Sequence, residues 1–167
     1  MTANAPDTIV VTMPSDREVV TSREFDAPRA LVFGARVKPE LVRRWCSGPP
    51  GWSMPVCEID LRVGGRLRWV WKNDADGTSF ALTGVYKEIV APERLIHTQD
   101  FTDNWTSGET LITTVFTEKG GKTTVTMTML FASKEARDAG VATGMTDGME
   151  SSYRMLEDVL RSMADAA

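Results

Sequence analysis

Between Met145 and Met163 the apolar residues Met145, Met149, Tyr153, Leu156, Leu160 and Met163 recur at steps of 4, 4, 3, 4 and 3. That spacing draws one stripe along a helix. No Pro or Gly interrupts the run after Gly148, and Asp147 followed by Glu150 reads as an N-terminal cap with a carboxylate at the positive end of the helix dipole. A long amphipathic helix cannot bury its stripe alone, so the rest of the chain must supply a complementary surface.

That surface reads as an antiparallel sheet. Leu67, Trp69 and Trp71 alternate with Arg66, Arg68, Val70 and Lys72, and Val125, Met127, Met129 and Phe131 alternate with threonines. A period of two gives each strand one apolar face and one polar face. Further strands are expected at Thr8–Met13, Val19–Phe25, Met54–Leu61, Phe80–Val90, Arg94–Phe101 and Glu109–Thr117. Turn signals separate them: Pro14-Ser15-Asp16, Val63-Gly64-Gly65, Asp74-Ala75-Asp76-Gly77, Pro92-Glu93 and Gly120-Gly121. Pro28 and Pro39 open two short helices, the first running to about residue 37 and the second through Leu41, Val42 and Trp45. The Gly- and Pro-dense stretch 47–55 reads as a loop carrying Trp52, and 102–108 as a polar loop carrying Trp105. Ser133 caps a short helix over Lys134–Ala139. Gly140, Gly144 and Gly148 then recur every four residues, either breaking the chain between two helices or leaving space on one helical face.

The predicted fold is α+β: a curved antiparallel sheet wrapped around a long C-terminal helix, with two short helices after the first strand. Residues 1–16 are expected to be an N-terminal extension and residues 17–165 a single domain, since 167 residues suit one core. A sheet curved around one helix leaves a gap suited to an apolar pocket.

The net charge of −4 and the absence of a Lys/Arg block exclude nucleic acid and anionic membranes as natural partners. No run reaches the length of a membrane span, and residues 1–8 lack the charge and apolar core of a secretory leader. With two cysteines, Cys46 and Cys57, outside any CxxC spacing, a cytoplasmic location with reduced thiols is expected.

Several spaced segments carry a family resemblance. They are Phe25-Asp26-Ala27-Pro28, Pro39-Glu40-Leu41 with Trp45, and Glu58-Ile59-Asp60-Leu61-Arg62-Val63-Gly64-Gly65. Gly84-Val85-Tyr86-Lys87-Glu88-Ile89, Pro92-Glu93-Arg94-Leu95, Gly121-Lys122-Thr123-Thr124 and Gly144-Met145 follow in order. Over residues 17–163 the chain resembles the activator of heat-shock protein 90 ATPase-like family of the START-like (SRPBCC) helix-grip superfamily. The resemblance implies a cavity between sheet and helix. It also implies a choice of roles, among them ligand carriage, stress response and self-resistance by ligand sequestration, and polyketide cyclisation. The eukaryotic co-chaperone carries a further N-terminal domain, for which a single-domain chain leaves no room.

The candidate site combines the indoles with the methionine-rich strand and helix. Trp69, Trp71, Met127, Met129, Met145, Met149 and Tyr153 are expected to line the cavity, with Trp52 and Trp105 at its mouth and the Tyr153 hydroxyl orienting the guest. Each also has a plain reading as core. His97, the single histidine, reads as a strand residue bonded to a neighbour, because no Ser, Cys or Asp partner is identifiable in sequence. No metal-ligand spacing, cofactor motif or catalytic set is found. The first expectation is therefore binding of a small apolar or aromatic molecule. The second is a chaperone-linked interaction module. The third is a cyclase or hydrolase working through His97 or Tyr153. A homodimer is compatible with the sequence, without an interface signature.

Overall fold

The computed structural model describes residues 8–102 and 108–166. Period-two alternation places most of the chain in strands. These are β1 (Val10–Thr12), β2 (Glu18–Phe25), β3 (Trp52–Ile59), β4 (Arg66–Asn73), β5 (Ser79–Val90), β6 (Arg94–Phe101), β7 (Thr110–Lys119) and β8 (Lys122–Leu130). They form one antiparallel sheet in the order β1-β2-β8-β7-β6-β5-β4-β3. The helices are α1 (Arg29–Val37), α2 (Pro39–Trp45), α3 (Lys134–Ala142) and α4 (Met145–Ala166). The α1–α2 pair carries the chain from β2 to β3 at the opposite edge, and the β3–β8 meander then returns to pair with β2. The sheet curves over α4, whose Tyr153, Leu156, Val159 and Leu160 are buried.

Local chemistry explains the joints. Asn73 and Asp76 accept backbone N–H groups of Ala75 and Thr78 in the β4–β5 turn, where Gly77 takes φ 77°. Pro55 lies in the edge strand β3, where its missing N–H costs no ladder bond to a further strand, beside a register shift between Ser53 and Val56. The Ser133 hydroxyl accepts from Ala136 N at 3.0 Å and caps α3. Gly144, at φ 80°, separates α3 from α4.

Three expectations change. Helix α4 begins at Met145, so Asp147 sits in its first turn rather than at the cap. Glu150 serves a different end: its Oε1 accepts the Ile9 N–H at 2.7 Å and ties the chain just before β1 to α4. Gly148 is exposed, and a Cβ there would meet nothing within 4 Å, so it opens no space toward the sheet.

The concave face of β2 carries a charge that the stripe analysis missed. Arg23 is only 2% exposed, and its guanidinium lies 4.6 Å from the Phe25 ring centroid. Its Nη1 donates to Glu157 Oε1 at 2.9 Å and to Glu24 O at 2.8 Å. Removing one member of such a pair strands the other charge. Glu157 is one-third exposed, so solvent discounts the loss. Glu157→Ala is expected to cost about 2 kcal/mol and lower Tm by roughly 4–8 °C. Glu157→Gln keeps an acceptor for Arg23 and is expected to lose less. Thermal melts of the two variants check the order, and equal Tm values would remove the charge from the account.

Candidate functional site

The inward residues of β4, β5 and β6 meet α1 at a small internal cavity. Its apolar wall is Leu67, Leu82, Leu95 and the Trp69 ring; its polar wall is Arg36, Tyr86, His97 and Gln99. The free volume is about 30 Å³, room for roughly one or two waters. Strand phase explains the lining. Trp69 faces Leu82 across β4–β5, and Tyr86 faces His97 across β5–β6, so one row of each strand converges. Gly84 lies in the same row, and a Cβ there would overlap the Thr98 carbonyl oxygen, so glycine permits the close approach of β5 and β6.

The electrostatics of this cavity are one-sided. Arg36 comes from α1, partly buried, with its guanidinium 5.7 Å from the Trp45 ring centroid. Among the described residues no carboxylate lines the cavity and Arg36 has no ion-pair partner. His97 is buried, and its Nδ1 lies 2.9 Å from Thr98 O. A carbonyl only accepts, so Nδ1 carries the ring proton and Nε2 is the acceptor. Burial lowers the His97 pKa to about 4, against the opposing Thr98 bond and with help from the Arg36 charge. The ring is therefore neutral at physiological pH. Burial likewise pushes the Tyr86 hydroxyl up to about 12, with Arg36 opposing.

The expected site residues that the structure describes fall into four places. Trp69 alone among them lines this cavity. Trp71 stacks on Phe80 at 5.1 Å and donates its Nε1–H to Cys46 O at 2.7 Å. Trp52 is the first residue of β3 rather than part of a loop, and packs edge-on to Phe80 at 5.7 Å. Met127 and Met129 pack with Met145 and Met149 between the sheet and the α3–α4 end. Tyr153 packs against Phe25 at 5.3 Å and Trp45 at 6.1 Å. Trp105 lies outside the described residues.

Sequence reasoning passed over Arg36, Tyr86 and Gln99. Gln99 was readable in principle, because it keeps phase with Leu95, His97 and Phe101 on β6. Arg36 had no such signal, since its target is set by how α1 lies on the sheet.

Buried polar atoms without protein partners gather on the same concave face. Among the described residues they include Thr21 Oγ1, Arg23 Nε, Trp69 Nε1, Thr114 Oγ1 and Tyr153 Oη. Thr21 and Thr114 flank Met127 across β2, β8 and β7. The thiols offer no nucleophile there. Cys46 and Cys57 are free, and burial raises them to about 12 and about 11, with Arg36 and Arg43 respectively opposing. Among the described residues no group of His, Cys, Asp and Glu could hold a metal ion. No helix among them is long and apolar enough to cross a membrane.

An antiparallel sheet curved over one long C-terminal helix, with two short helices between its second and third strands, defines a START-like helix-grip domain. The family model described as activator of Hsp90 ATPase homolog 1-like protein matches residues 26–161, and the chain belongs to that family. A crystal structure from Rhodobacter sphaeroides is similar at 32% identity and a TM-score of 0.87, covering 93% of this chain and 99% of that one. A Mycobacterium smegmatis protein shares the fold at 23% identity and a TM-score of 0.79, over 91% and 96% of the two chains. The AHSA1-like protein of Aeromonas hydrophila shares it at 22% identity and a TM-score of 0.66, over 84% and 93%. No curated protein matches the chain.

Proposed function

We propose that the protein binds a small molecule with an apolar or aromatic body between the concave face of the sheet and helices α1 and α4. The observation that carries this reading is a set of buried polar atoms without a partner among the described residues: Thr21 Oγ1, Thr114 Oγ1 and Trp69 Nε1 on the sheet and Tyr153 Oη on α4. Folded proteins pair nearly all such groups, because each orphan costs about 1–3 kcal/mol. A guest with a few polar substituents would satisfy them. The existing free volume is far below the few hundred Å³ of an ordinary ligand pocket, so the guest must displace side chains. Met127, Met129, Met145 and Met149 are suited to that, being unbranched and adaptable.

Native mass spectrometry tests the reading. Protein incubated with a cellular metabolite extract is expected to carry a noncovalent mass increment that disappears on denaturation. Thr114→Val supplies the control. It removes a hydroxyl without a protein partner at constant shape, so Tm is expected to stay level or rise. Occupancy is expected to fall severalfold. A folded protein that retains nothing would count against the reading, and unchanged occupancy in the variant would move the guest away from this row.

The family's description supports a second reading, a module acting on a chaperone ATPase. Its surface would include Val10, Val11 and Met13, exposed on and just after β1 at the sheet edge. Stimulation of Hsp90 ATPase by the purified protein, unaltered by Thr114→Val, would favour it over the first.

A further inference from the structure

We propose that the guest of this cavity is an acid: an apolar or aromatic molecule bearing one carboxylate or comparable planar oxyanion, bound at Arg36. This rests on the small-molecule reading above and names the class of molecule. Three observations combine. Arg36 brings a partly buried guanidinium to an internal cavity and has no anionic partner among the described residues. The indole N–H of Trp69, another residue lining the cavity, is buried and has no acceptor among the described residues. The remaining polar lining, Tyr86, His97 and Gln99, brings no negative charge, and His97 is neutral.

The physical case follows from how a buried charge is tolerated. A guanidinium removed from water needs a counter-charge or full hydrogen bonding. Arg23, on the same face, has its own: Glu157 at 2.9 Å. Among the described residues Arg36 has the Trp45 ring and no counter-charge. A carboxylate entering the cavity would supply the missing charge and accept from Arg36 in the forked geometry that guanidinium favours. Trp69 and Gln99, which line the same cavity, carry further N–H donors. Leu67, Leu82, Leu95 and the Trp69 ring form the apolar wall for the body of the molecule. A neutral guest of the same shape would fill that wall and leave Arg36 uncompensated.

Paired probes decide it: benzoate against benzamide, and 2-naphthoate against 2-naphthamide, titrated into the 167-residue protein by calorimetry at pH 7.5 and low salt. The acid of a pair is expected to bind about tenfold or more tighter than its amide, the increment typical of a charge-assisted bond. In Arg36→Met that preference is expected to fall to within about twofold, while Arg36→Lys keeps part of it. The wild-type comparison needs no variant, so it stands even where Arg36→Met folds poorly. Equal binding of acid and amide by the wild-type protein would overturn the acid assignment and leave the small-molecule reading in place. Preference for the acid that survives Arg36→Met in a folded protein would overturn the assignment to Arg36. Failure of all four probes to bind would overturn both readings together.

Discussion

Gly84→Ala is expected to lower Tm by roughly 6–12 °C, the equivalent of about 3 kcal/mol. Gly84 faces Leu67 in the middle of the sheet, and its neighbours leave no room for a methyl group. A Cβ would overlap the Thr98 carbonyl oxygen and lie 3.1 Å from the Thr98 carbonyl carbon. Backbone cannot rotate away as a side chain does, so β5 and β6 would have to separate. Two contacts would move with it. Thr98 O holds the His97 ring at 2.9 Å, and Thr98 Oγ1 accepts Val85 N at 3.0 Å. Gly148→Ala is the matched contrast. Its Cβ would meet nothing within 4 Å inside α4, so alanine is expected to stabilise by up to about 1 kcal/mol. Melting curves of both variants give opposite signs if this geometry is right. A Gly84→Ala protein melting with the wild type would show that the two strands do not approach this closely.

His97 supplies the second large effect. Its ordinary pKa is 6.5 and its value in the fold is about 4. The folded form therefore holds a neutral ring over a range where the unfolded chain binds a proton. Stability from this source is complete above pH 6.5 and is lost as pH falls toward 4. The full span corresponds to about 3 kcal/mol. The groups around the ring reinforce the sign, since Arg36 opposes a second positive charge and among the described residues no carboxylate lines the cavity to welcome one. Carboxylates elsewhere begin to titrate below about pH 5, so the difference between wild type and His97→Gln isolates the ring better than either curve. Urea midpoints at pH 7.5, 6 and 5 are expected to show the wild type losing stability faster than the variant. A constant gap across that range would mean that the ring is protonated, or exposed, in the folded protein.

How much of this was legible depended on whether a residue's role is local. The α4 stripe was readable because helical period and burial coincide: Tyr153, Leu156 and Leu160 are buried as the 3–4 spacing requires. Trp69 and Trp71 likewise fall on the inward face of β4, and Gly77 sits where a tight hairpin needs positive φ. The family segments around Pro28, Gly64-Gly65 and Pro92 were legible for the same reason, as turns and helix starts. Glu150 misled because a carboxylate near a helix start has a local explanation, while its actual partner is Ile9, 141 residues away. Trp52 misled because the Pro- and Gly-rich residues before it hide the start of an edge strand. Arg23 could have been placed inward from its phase with Val19, Thr21 and Phe25, yet a charge in that row invites the opposite conclusion until Glu157 is in view. Arg36 was beyond reach, because it meets its cavity only when α1, packed on β7 and β8, brings this one side chain to residues of β4, β5 and β6 far later in the chain.

The strand order also has a consequence for synthesis. Glu18 pairs with Leu130 and Phe25 with Thr123, so β2 gains its inner neighbour only after β8 has left the ribosome. Until then the emerging β1–β2 hairpin offers an open edge, and the concave face of the growing meander lacks α4, which follows β8 in the chain. Closure of such distant pairs is slow relative to local contacts, and exposed edges and apolar faces are what holdase chaperones recognise and what aggregates through. A nascent chain stalled before residue 122 should therefore remain sensitive to protease throughout, and one stalled with α4 fully emerged should not. Helix α4 acts as the latch on a sheet whose β2–β8 seam joins Glu18 to Leu130.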